Sequence, residues 1–397
     1  MRISLYNNKY LVGFMLLVFV VPAYFVRVPI VLTTYRYLGF ACLIVLLLFV
    51  IKGRKVSPPF LWIYGFYGVI FLTTLINKGN LWLFVCENYA SFGLCILFAL
   101  MLEKKPSVLL SATKVLDILV YINLITMLIF PKGMYFVTNK AHWFLGYKNT
   151  LSRIILSIIC LALIRAYYSF GKIKLDAIIL ISCAVLTLIL AGSATSLIGF
   201  SIFALLLSIF HHKRRGLPKI FSLLTGLIVT VTIFIAMLFF NFQQYFSFFI
   251  ENILGKDLTL TRRIAVWQMA LNKIFHKPII GYGYLTGSEY VEMFERDTYT
   301  HPHNYYLYIL MTGGIVLAAV LLFGYLYANR VLNNSMSTIF SKIIMFTLIA
   351  FLIMGLTESL VSTVLMYPIL ILAMNADKLK DRQLPGNRWV APILADK

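Results

Sequence analysis

The chain has 397 residues, of which 61% are hydrophobic and only 12% are charged, and its mean hydropathy is +0.89. In a soluble domain about a quarter of the residues are charged, so this composition excludes a soluble domain. The formal net charge of +21 does not indicate nucleic-acid binding, because much of it falls in short loops where membrane topology selects Lys and Arg.

The apolar runs are continuous rather than alternating, which excludes an outer-membrane barrel and predicts an all-α, polytopic membrane protein with about 12 transmembrane helices. Most runs reach or approach the roughly 17–25 residues that a spanning helix needs. The predicted segments are 10–25, 31–51, 60–76, 82–102, 115–130, 150–168, 175–191, 196–210, 219–240, 304–327, 341–356 and 360–375. We interpret the first as a span rather than a cleavable signal, because no small-residue cleavage site follows it.

The distribution of basic residues predicts the orientation. If the N-terminus lies inside, Lys and Arg occur in every inner loop, as the positive-inside rule requires. Both termini are then cytoplasmic, and the long polar segment lies on the extracytoplasmic side. The predicted divisions are 1–240 (transmembrane helices 1–9), 241–302 (extracytoplasmic loop), 303–376 (transmembrane helices 10–12) and 377–397 (cytoplasmic tail).

The outer loop contains a predicted amphipathic helix at residues 262–275. Its apolar face is formed by Ile264, Trp267, Leu271, Ile274 and Phe275. Thr261 is the predicted N-cap, and Pro278 with Gly281 and Gly283 ends the helix. Such a helix is expected to lie in the membrane interface. It could also pack on the tops of the spans, and the two interpretations are compatible.

Several cations on the outer side are not required by topology, and we interpret some of them as phosphate ligands. Arg262 and Arg263 stand at the start of the loop helix, where a helix N-terminus already favours an anion. A planar guanidinium binds two phosphate oxygens at once. Arg153 belongs to the same set of outer cations. The alternative is that these side chains reach ordinary phospholipid headgroups.

His301 and His303 flank Pro302 just before the tenth segment. Histidine changes charge near neutral pH and can accept a proton from a sugar hydroxyl. Helix capping or an interfacial position is the alternative for both, and Asn304 is also a typical helix-start residue. A His-x-His pair can suggest zinc, but no third ligand has metal-site spacing, so no metal site is predicted.

Two acidic features are further candidates. Glu289 belongs to an acidic patch that could bind a divalent ion or position an acceptor, although a solvated loop face is the alternative. Glu358 lies between the last two segments and Glu87 lies within the fourth. Ionisable groups are costly in lipid, which makes both functional candidates, and Glu358 at the outer end is the better one.

Short motifs carry a family resemblance. His303-Asn304 is followed after nine residues by Gly314, and upstream lie an Arg-then-Trp helix (263–267) and a Pro-x-x-Gly-x-Gly element (278–283). Gly146-Tyr147-Lys148-Asn149 precedes the sixth segment, and Glu358 lies near the eleventh. Together with the order of spans and loop, these features resemble the O-antigen ligase and O-antigen polymerase superfamily of bacterial membrane glycosyltransferases over the chain's whole topology.

Two positions depart from the family pattern. Ser193-Ala194-Thr195 stands where the family often has Ser-Arg-Thr, so one phosphate-binding arginine is missing, and Arg153 or Arg262 is the candidate substitute. Leu317 stands where the family has a further glycine.

The resemblance implies a metal-independent, inverting glycosyl transfer without a cofactor, at the outer leaflet of the bacterial inner (cytoplasmic) membrane. The donor would be an oligosaccharide on undecaprenyl diphosphate. Arg262 and Arg263 are assigned to the diphosphate and His303 to the acceptor hydroxyl, with Asn304, Glu289 and Glu358 as positioning residues and His301 and Arg153 as further substrate ligands. Expected partners are membrane lipids, a chain-length regulator and a flippase, and no nucleic acid.

Three functions follow from the sequence. The first expectation is a polymerase of capsule, exopolysaccharide or O-antigen, which would extend one lipid-linked repeat unit with another. The alternative is an O-antigen ligase, which would transfer the glycan to the lipid A core. A flippase of lipid-linked sugar is the alternative of another class, but no internal repeat relates the halves, and the polar residues gather at one face rather than at the midplane.

Overall fold

A computed structural model describes residues 5–137, 139–210, 220–240, 260–296, 299–360 and 364–379. Within these ranges the chain forms fifteen α-helices and one small sheet. The helices are α1 (Lys9–Phe19), α2 (Pro29–Gly53), α3 (Pro58–Ile76), α4 (Leu81–Lys104), α5 (Pro106–Ala112), α6 (Asp117–Ile129), α7 (Lys148–Phe170), α8 (Leu175–Ala191), α9 (Ala194–Phe210), α10 (Leu223–Phe240), α11 (Leu260–His276), α12 (Gly287–Phe294), α13 (Tyr305–Asn334), α14 (Ile339–Met354) and α15 (Met366–Ala373).

Every one of the twelve predicted segments contains a helix. Six helical stretches in the described residues are long and apolar enough to cross a membrane: α2, α3, α4, the continuous stretch from α5 to α6, α7 and α13. Five shorter apolar helices accompany them. The prediction of an all-α, polytopic membrane protein is confirmed. The division into loop and tail stays a prediction, because residues 241–259 and 380–397 lie outside the described ranges.

The core of the bundle is formed by α14, α15 and α4, whose apolar side chains are almost completely buried. Helix α14 packs against α9, α7 and α10, while α13 packs against α3. Helix α2 lies at the periphery and exposes large apolar side chains such as Leu48 and Ile51. An exposed apolar surface of this kind is what a lipid-facing helix requires.

Ion pairs tie the end of the bundle that lies away from the start of α13. Lys55 and Ser57, in the connection from α2 to α3, both bind Glu103 near the end of α4. Arg165 on α7 binds Asp117 at the start of α6, with 2.5 Å between nitrogen and oxygen. Basic residues of the predicted inner side are therefore partly neutralised by acidic partners within the fold.

A short antiparallel sheet, which the sequence analysis did not predict, precedes α7. Its strands are β1 (Tyr135–Val137), β2 (Lys140–Trp143) and β3 (Gly146–Tyr147), in the order β1-β2-β3. Tyr135 pairs with His142, which pairs in turn with Tyr147. Trp143 on the opposite face is buried and donates its indole N–H to the carbonyl of Phe130 at 2.8 Å, which fixes the sheet to the end of α6.

Helix α11 packs on the spans. Ile264, Trp267 and Ile274 are buried against α10, α12 and α13, and the Trp267 ring meets the Phe234 ring edge-to-face at 5.6 Å. The helix begins at Leu260, so Thr261 lies in its first turn rather than before it, and its prediction as the N-cap is wrong. Phe275, predicted on the same apolar face, is 75% exposed, whereas its neighbour Ile274 is buried.

Helix α13 is interrupted at Gly314, whose φ of 60° and ψ of −155° belong to a region that essentially only glycine occupies. The break frees two carbonyls and two N–H groups, and the segment 278–283 binds all four. The bonds run from Tyr282 N–H to Met311 (2.7 Å), from Gly283 N–H to Thr312 (2.9 Å), from Ile315 N–H to Pro278 (2.9 Å) and from Val316 N–H to Ile279 (3.2 Å). Unsatisfied backbone groups are costly inside a membrane, so these four hydrogen bonds hold the segment 278–283 against the helix.

The close approach explains both glycine motifs of this region. A Cβ on Gly314 would lie 2.3 Å from the Ile279 carbonyl oxygen, and a Cβ on Gly281 would lie 2.5 Å from the Met311 oxygen. Gly281 also has a positive φ of 62°. The Pro-x-x-Gly-x-Gly element and the glycine that follows His303-Asn304 after nine residues are therefore two halves of one backbone contact.

We expect Gly314→Ala to lower the free energy of unfolding by about 2 kcal/mol or more, because it adds both a strained backbone and a clash with the Ile279 carbonyl. Thermal unfolding of the protein in detergent would measure the change. Gly68→Ala on α3 is the matched control, since nothing lies within 4 Å of its added Cβ and alanine favours a helix. Equal melting temperatures for the two variants would contradict the role given to Gly314.

Candidate functional site

Five segments distant in sequence meet at one end of the bundle. They are the start of α7, the break between α8 and α9, the first turns of α11, the segment before α13 and the segment after α14. Each of the five contains a residue that the sequence analysis singled out or quoted. Helix ends place polar groups here, because backbone and side chains at a helix end do not have to be buried in lipid.

Glu358 is the centre of this cluster. Its residue is only 5% exposed, and its Oε1 accepts a hydrogen bond from Asn149 Nδ2 at 2.8 Å. Arg263 Nη2 lies 3.4 Å from the same oxygen. Ser193 donates to Asn149 Oδ1 at 3.0 Å, which orients the amide towards the carboxylate. A buried carboxylate needs such partners, so Glu358 joins α7, the break between α8 and α9, and α11.

Two further cations belong to the cluster. Arg153 is 5% exposed, and its Nε donates to the Asn149 carbonyl at 3.2 Å. Glu358 also attracts the Arg153 guanidinium electrostatically. Lys140, on the exposed side of strand β2, acts electrostatically on the histidines beside the cluster. Arg153 and Arg263 thus adjoin the Glu358 carboxylate while Lys140 acts on the histidines, and the site as described has an excess of positive charge.

His301 and His303 lie next to these cations. Their ring centroids are 3.9 Å apart in an edge-to-face arrangement, and the backbone N–H of His303 donates to His301 Nδ1 at 3.2 Å. The neutral His301 ring therefore carries its proton on Nε2. His303 has a positive φ of 51°, which is a strained conformation for a residue with a side chain. Backbone strain of this kind is concentrated at functional sites.

The surroundings keep both imidazoles neutral at pH 7. Burial, together with the charges of Arg153, Arg263 and Lys140, lowers the pKa of His301 from 6.5 to about 4. Burial also lowers the pKa of His303 well below 6.5, with additional contributions from His301, Arg263 and Lys140. A neutral imidazole can accept a proton, while the surrounding cations favour an anionic ligand.

Asn304 has a structural role. Its Oδ1 accepts from the Leu307 N–H at 3.0 Å, which caps α13, and its Nδ2 donates to the Leu356 carbonyl at 2.9 Å. The Tyr305 N–H donates to the Gly355 carbonyl at 2.8 Å. These bonds fasten the histidine segment to the end of α14. Asn304 is completely buried, so it acts by holding His303 and Glu358 at a fixed separation.

One predicted residue, Glu289, lies apart from the cluster, and the side chain of another, Arg262, is not described. Glu289 forms a capping box with Thr286 at the start of α12: the Thr286 N–H donates to Glu289 Oε2 at 2.6 Å, and the Glu289 N–H donates to Thr286 Oγ1 at 3.1 Å. The Thr-x-x-Glu spacing already contains the signal for this role. The backbone of Arg262 belongs to α11, but its side chain lies outside the described residues, so the assignment of Arg262 stays a prediction.

Three members of the cluster were missed as site residues. Asn149 stands in the quoted Gly146–Asn149 motif, and Ser193 stands in the motif that departs from the family pattern. Lys140 was one of several outer cations. Their sequence signal was present, but only the fold brings them together. In the described ranges, no three His, Cys, Asp or Glu side chains lie close enough to hold a metal ion, and metal independence stays an expectation.

Part of the chain is similar to known proteins. Residues 177–322 match a family model described as O-antigen ligase. A protein of Rickettsia typhi described as a polysaccharide ligase is 26% identical over 225 residues, which cover 51% of this chain and 54% of the relative. A ComP-specific O-oligosaccharyltransferase of Acinetobacter baylyi is 24% identical over 188 residues, or 45% of this chain and 33% of the relative.

A third relative, a protein of Rickettsia conorii also described as a polysaccharide ligase, is 28% identical over 192 residues, or 45% of each chain. The chain thus spans between a third and about half of the length of these relatives. The matched family region contains Ser193, Arg263, His301 and His303, while Asn149 and Glu358 lie on either side of it. These matches confirm the resemblance read from the motifs: residues 177–322 match the O-antigen ligase family model, and the relatives are similar over about half of the chain.

Proposed function

We propose that this protein is a glycan ligase that transfers an oligosaccharide from a lipid-linked diphosphate to an acceptor hydroxyl at the extracytoplasmic surface of the bacterial inner membrane. The observation that carries the proposal is the cluster around Glu358, in which Arg263 and Arg153 adjoin a buried carboxylate beside the neutral ring of His303. Diphosphate is already a good leaving group, so the protein needs cations for its charge and a base for the acceptor.

The cations act on the donor. Arg263 is 28% exposed at its side chain and extends from α11, so its guanidinium can bind diphosphate oxygens while Glu358 holds one edge of it. Arg153 is buried in α7 and contributes positive potential to the site. Lys140 on strand β2 contributes further positive potential. Because these charges are fixed before the donor arrives, they stabilise the leaving diphosphate without rearrangement.

His303 acts on the acceptor. The acceptor oxygen forms a bond to the anomeric carbon while the bond from that carbon to the diphosphate oxygen breaks, which inverts the configuration. The hydroxyl proton passes to the imidazole, and the diphosphate leaves with the electron pair. In the described residues no hydrogen bond occupies the His303 ring nitrogens, and its strained backbone fixes where the ring points.

The names of the relatives support the ligase more than the polymerase, which was the first expectation from the sequence. Two are described as polysaccharide ligases and one as an O-oligosaccharyltransferase. The polymerase is the second candidate, favoured by the departures at Ala194 and Leu317. Both are transferases, and the cluster at one end of the bundle supports a transferase over a flippase. Undecaprenol as the carrier, and the chain-length regulator and flippase as partners, belong to this proposal.

We expect His303→Ala to lower glycan transfer by about 100-fold or more, because a positioned base is removed while the membrane helices stay intact. Glycans extracted from cells that contain the variant would measure the effect. A ligase leaves long chains on the lipid carrier when it fails, whereas a polymerase leaves single repeat units. His276→Ala on the exposed end of α11 is the control and should transfer normally. Wild-type transfer by His303→Ala would defeat the proposal.

Arg263→Ala should lower transfer by about 100-fold, because it removes a cation from the leaving diphosphate. Arg263→Lys should fall between Ala and the wild type, since lysine keeps the charge but loses the planar fork. Transfer rates in nanodiscs at varied donor concentration would measure this. Lys273→Ala, about 15 Å further along the same helix, is the control. Full activity in both Arg263 variants would remove Arg263 from the site.

The acid limb of the pH profile should report the environment of the histidines. Transfer is lost as pH falls and the base takes up a proton, and in the free protein this occurs well below pH 6.5 because burial and cations lower the histidine pKa values. A bound diphosphate offsets those cations, so the limb in kcat should lie at higher pH than the limb in kcat/KM.

Lys140→Ala removes one of the cations and should move the limb in kcat/KM to higher pH. Profiles measured on the wild type and on this variant would check both statements. An unchanged limb in Lys140→Ala would show that Lys140 does not act on the histidines.

A further inference from the structure

The small sheet beside the site has two different faces. One face contains Trp143, which is buried and bonded to α6, and this side anchors the sheet. The other face contains Tyr135, His142 and Tyr147 in one cross-strand row. These three residues are half-buried, and we call them the aromatic ladder. The ladder is not needed to fix the sheet to the helices, because Trp143 does that from the other side.

The rings of the aromatic ladder form a continuous row. The centroids of Tyr135 and His142 are 5.2 Å apart with planes at 28°, and those of His142 and Tyr147 are 5.4 Å apart at 40°. All three side chains stay partly exposed along this row. The spacing is comparable to the length of a single pyranose residue in a glycan chain.

The row leads into the site. Tyr147 lies immediately before α7, and its hydroxyl interacts electrostatically with both Glu358 and Arg263. Asn149, two residues later, donates to Glu358. At the far end of the row, Tyr24 packs against Tyr135 with 5.8 Å between ring centroids. The aromatic row therefore extends away from the site from a residue that lies beside Glu358 and Arg263.

Cations flank the rings. The Arg27 guanidinium lies 5.1 Å from the centroid of the Tyr135 ring, and Arg27 is exposed. The Lys140 and Lys148 ammonium groups lie 5.7 and 5.8 Å from the centroid of the Tyr147 ring. Donors of this kind bind sugar hydroxyls and the carboxylates of acidic sugars. The negative face of an aromatic ring attracts the polarised C–H groups of a sugar ring.

We propose that the aromatic ladder of Tyr135, His142 and Tyr147 is a carbohydrate-binding subsite, which holds sugar residues of a substrate glycan beyond the one that reacts at Glu358 and His303. This inference rests on the proposed function and extends it. The occupant is a glycan chain, because stacked rings with flanking donors suit a sugar, and because the row is continuous with the site. The same chemistry could come from the donor glycan or from the acceptor glycan.

Substitutions on the two faces of the sheet provide the test. Tyr135→Ala and His142→Ala remove rings from the ladder, while Tyr135→Phe and His142→Phe keep them. Phe136→Ala, on the opposite face and 57% exposed, is the matched control for any loss of sheet stability. Melting temperatures of all five variants in detergent would identify any substitution that unfolds the sheet, and an unstable alanine variant would be replaced by the Leu variant at the same position.

The first measurement is binding of the free oligosaccharide, released by mild acid from the lipid-linked glycan of the same cells, to the protein in nanodiscs. We expect the two ring-removing variants to bind it about three- to tenfold more weakly than the wild type, and the ring-keeping and control variants to bind it normally. Equal binding by all variants would overturn the subsite.

The second measurement is transfer at varied donor and acceptor concentrations. A higher KM for the lipid-linked donor in the ring-removing variants would assign the ladder to the donor glycan, and a higher KM for the acceptor would assign it to the acceptor glycan. If the wild type transfers glycan and no KM changes, the subsite is wrong and the proposed function stands. If the wild type transfers nothing under any condition, the proposed function itself fails.

Discussion

The structure depends at its functional end on one buried carboxylate. Glu358 accepts from Asn149 and pairs with Arg263, and these contacts join α7 and α11 to the end of α14. An isolated carboxylate is very costly to bury, so its partners have to stay in place for the fold to hold. The same contacts assemble the cations and the imidazole. Stability and the proposed chemistry therefore draw on the same few side chains, and the site is organised before any substrate arrives.

The spans could be predicted from the sequence, because hydropathy over a segment of membrane thickness is a local property. All twelve predicted segments contain helices, and the predicted break after residue 191 separates α8 from α9. The small sheet was missed, because its strands of two to four residues are too short to show a periodic pattern. The capping role of Glu289 could be predicted from its position three residues after Thr286, which is the spacing of a capping box. The neighbouring acidic residues instead suggested a binding role.

The candidate site was predicted in part. Arg263, His301, His303 and Glu358 were named from motifs, and the structure brings them together. Asn149 and Ser193 were not named as site residues, because their contribution depends on a hydrogen-bonded contact between α7 and the break after α8. Sequence spacing carries no information on such a contact, since 44 residues separate the two. The reciprocal bonds between residues 278–283 and the break in α13 were hidden for the same reason.

The attachment of the histidine segment to the end of α14 has a mechanical consequence. Asn304 and Tyr305 bond to the carbonyls of Leu356 and Gly355, so the segments on either side of His303 and Glu358 move as one body. The separation of the His303 ring, the proposed base, from the Glu358 carboxylate is then set by backbone bonds within that body. Arg263 reaches Glu358 from a separate helix, α11, so a displacement of α11 would move the cation without altering this separation.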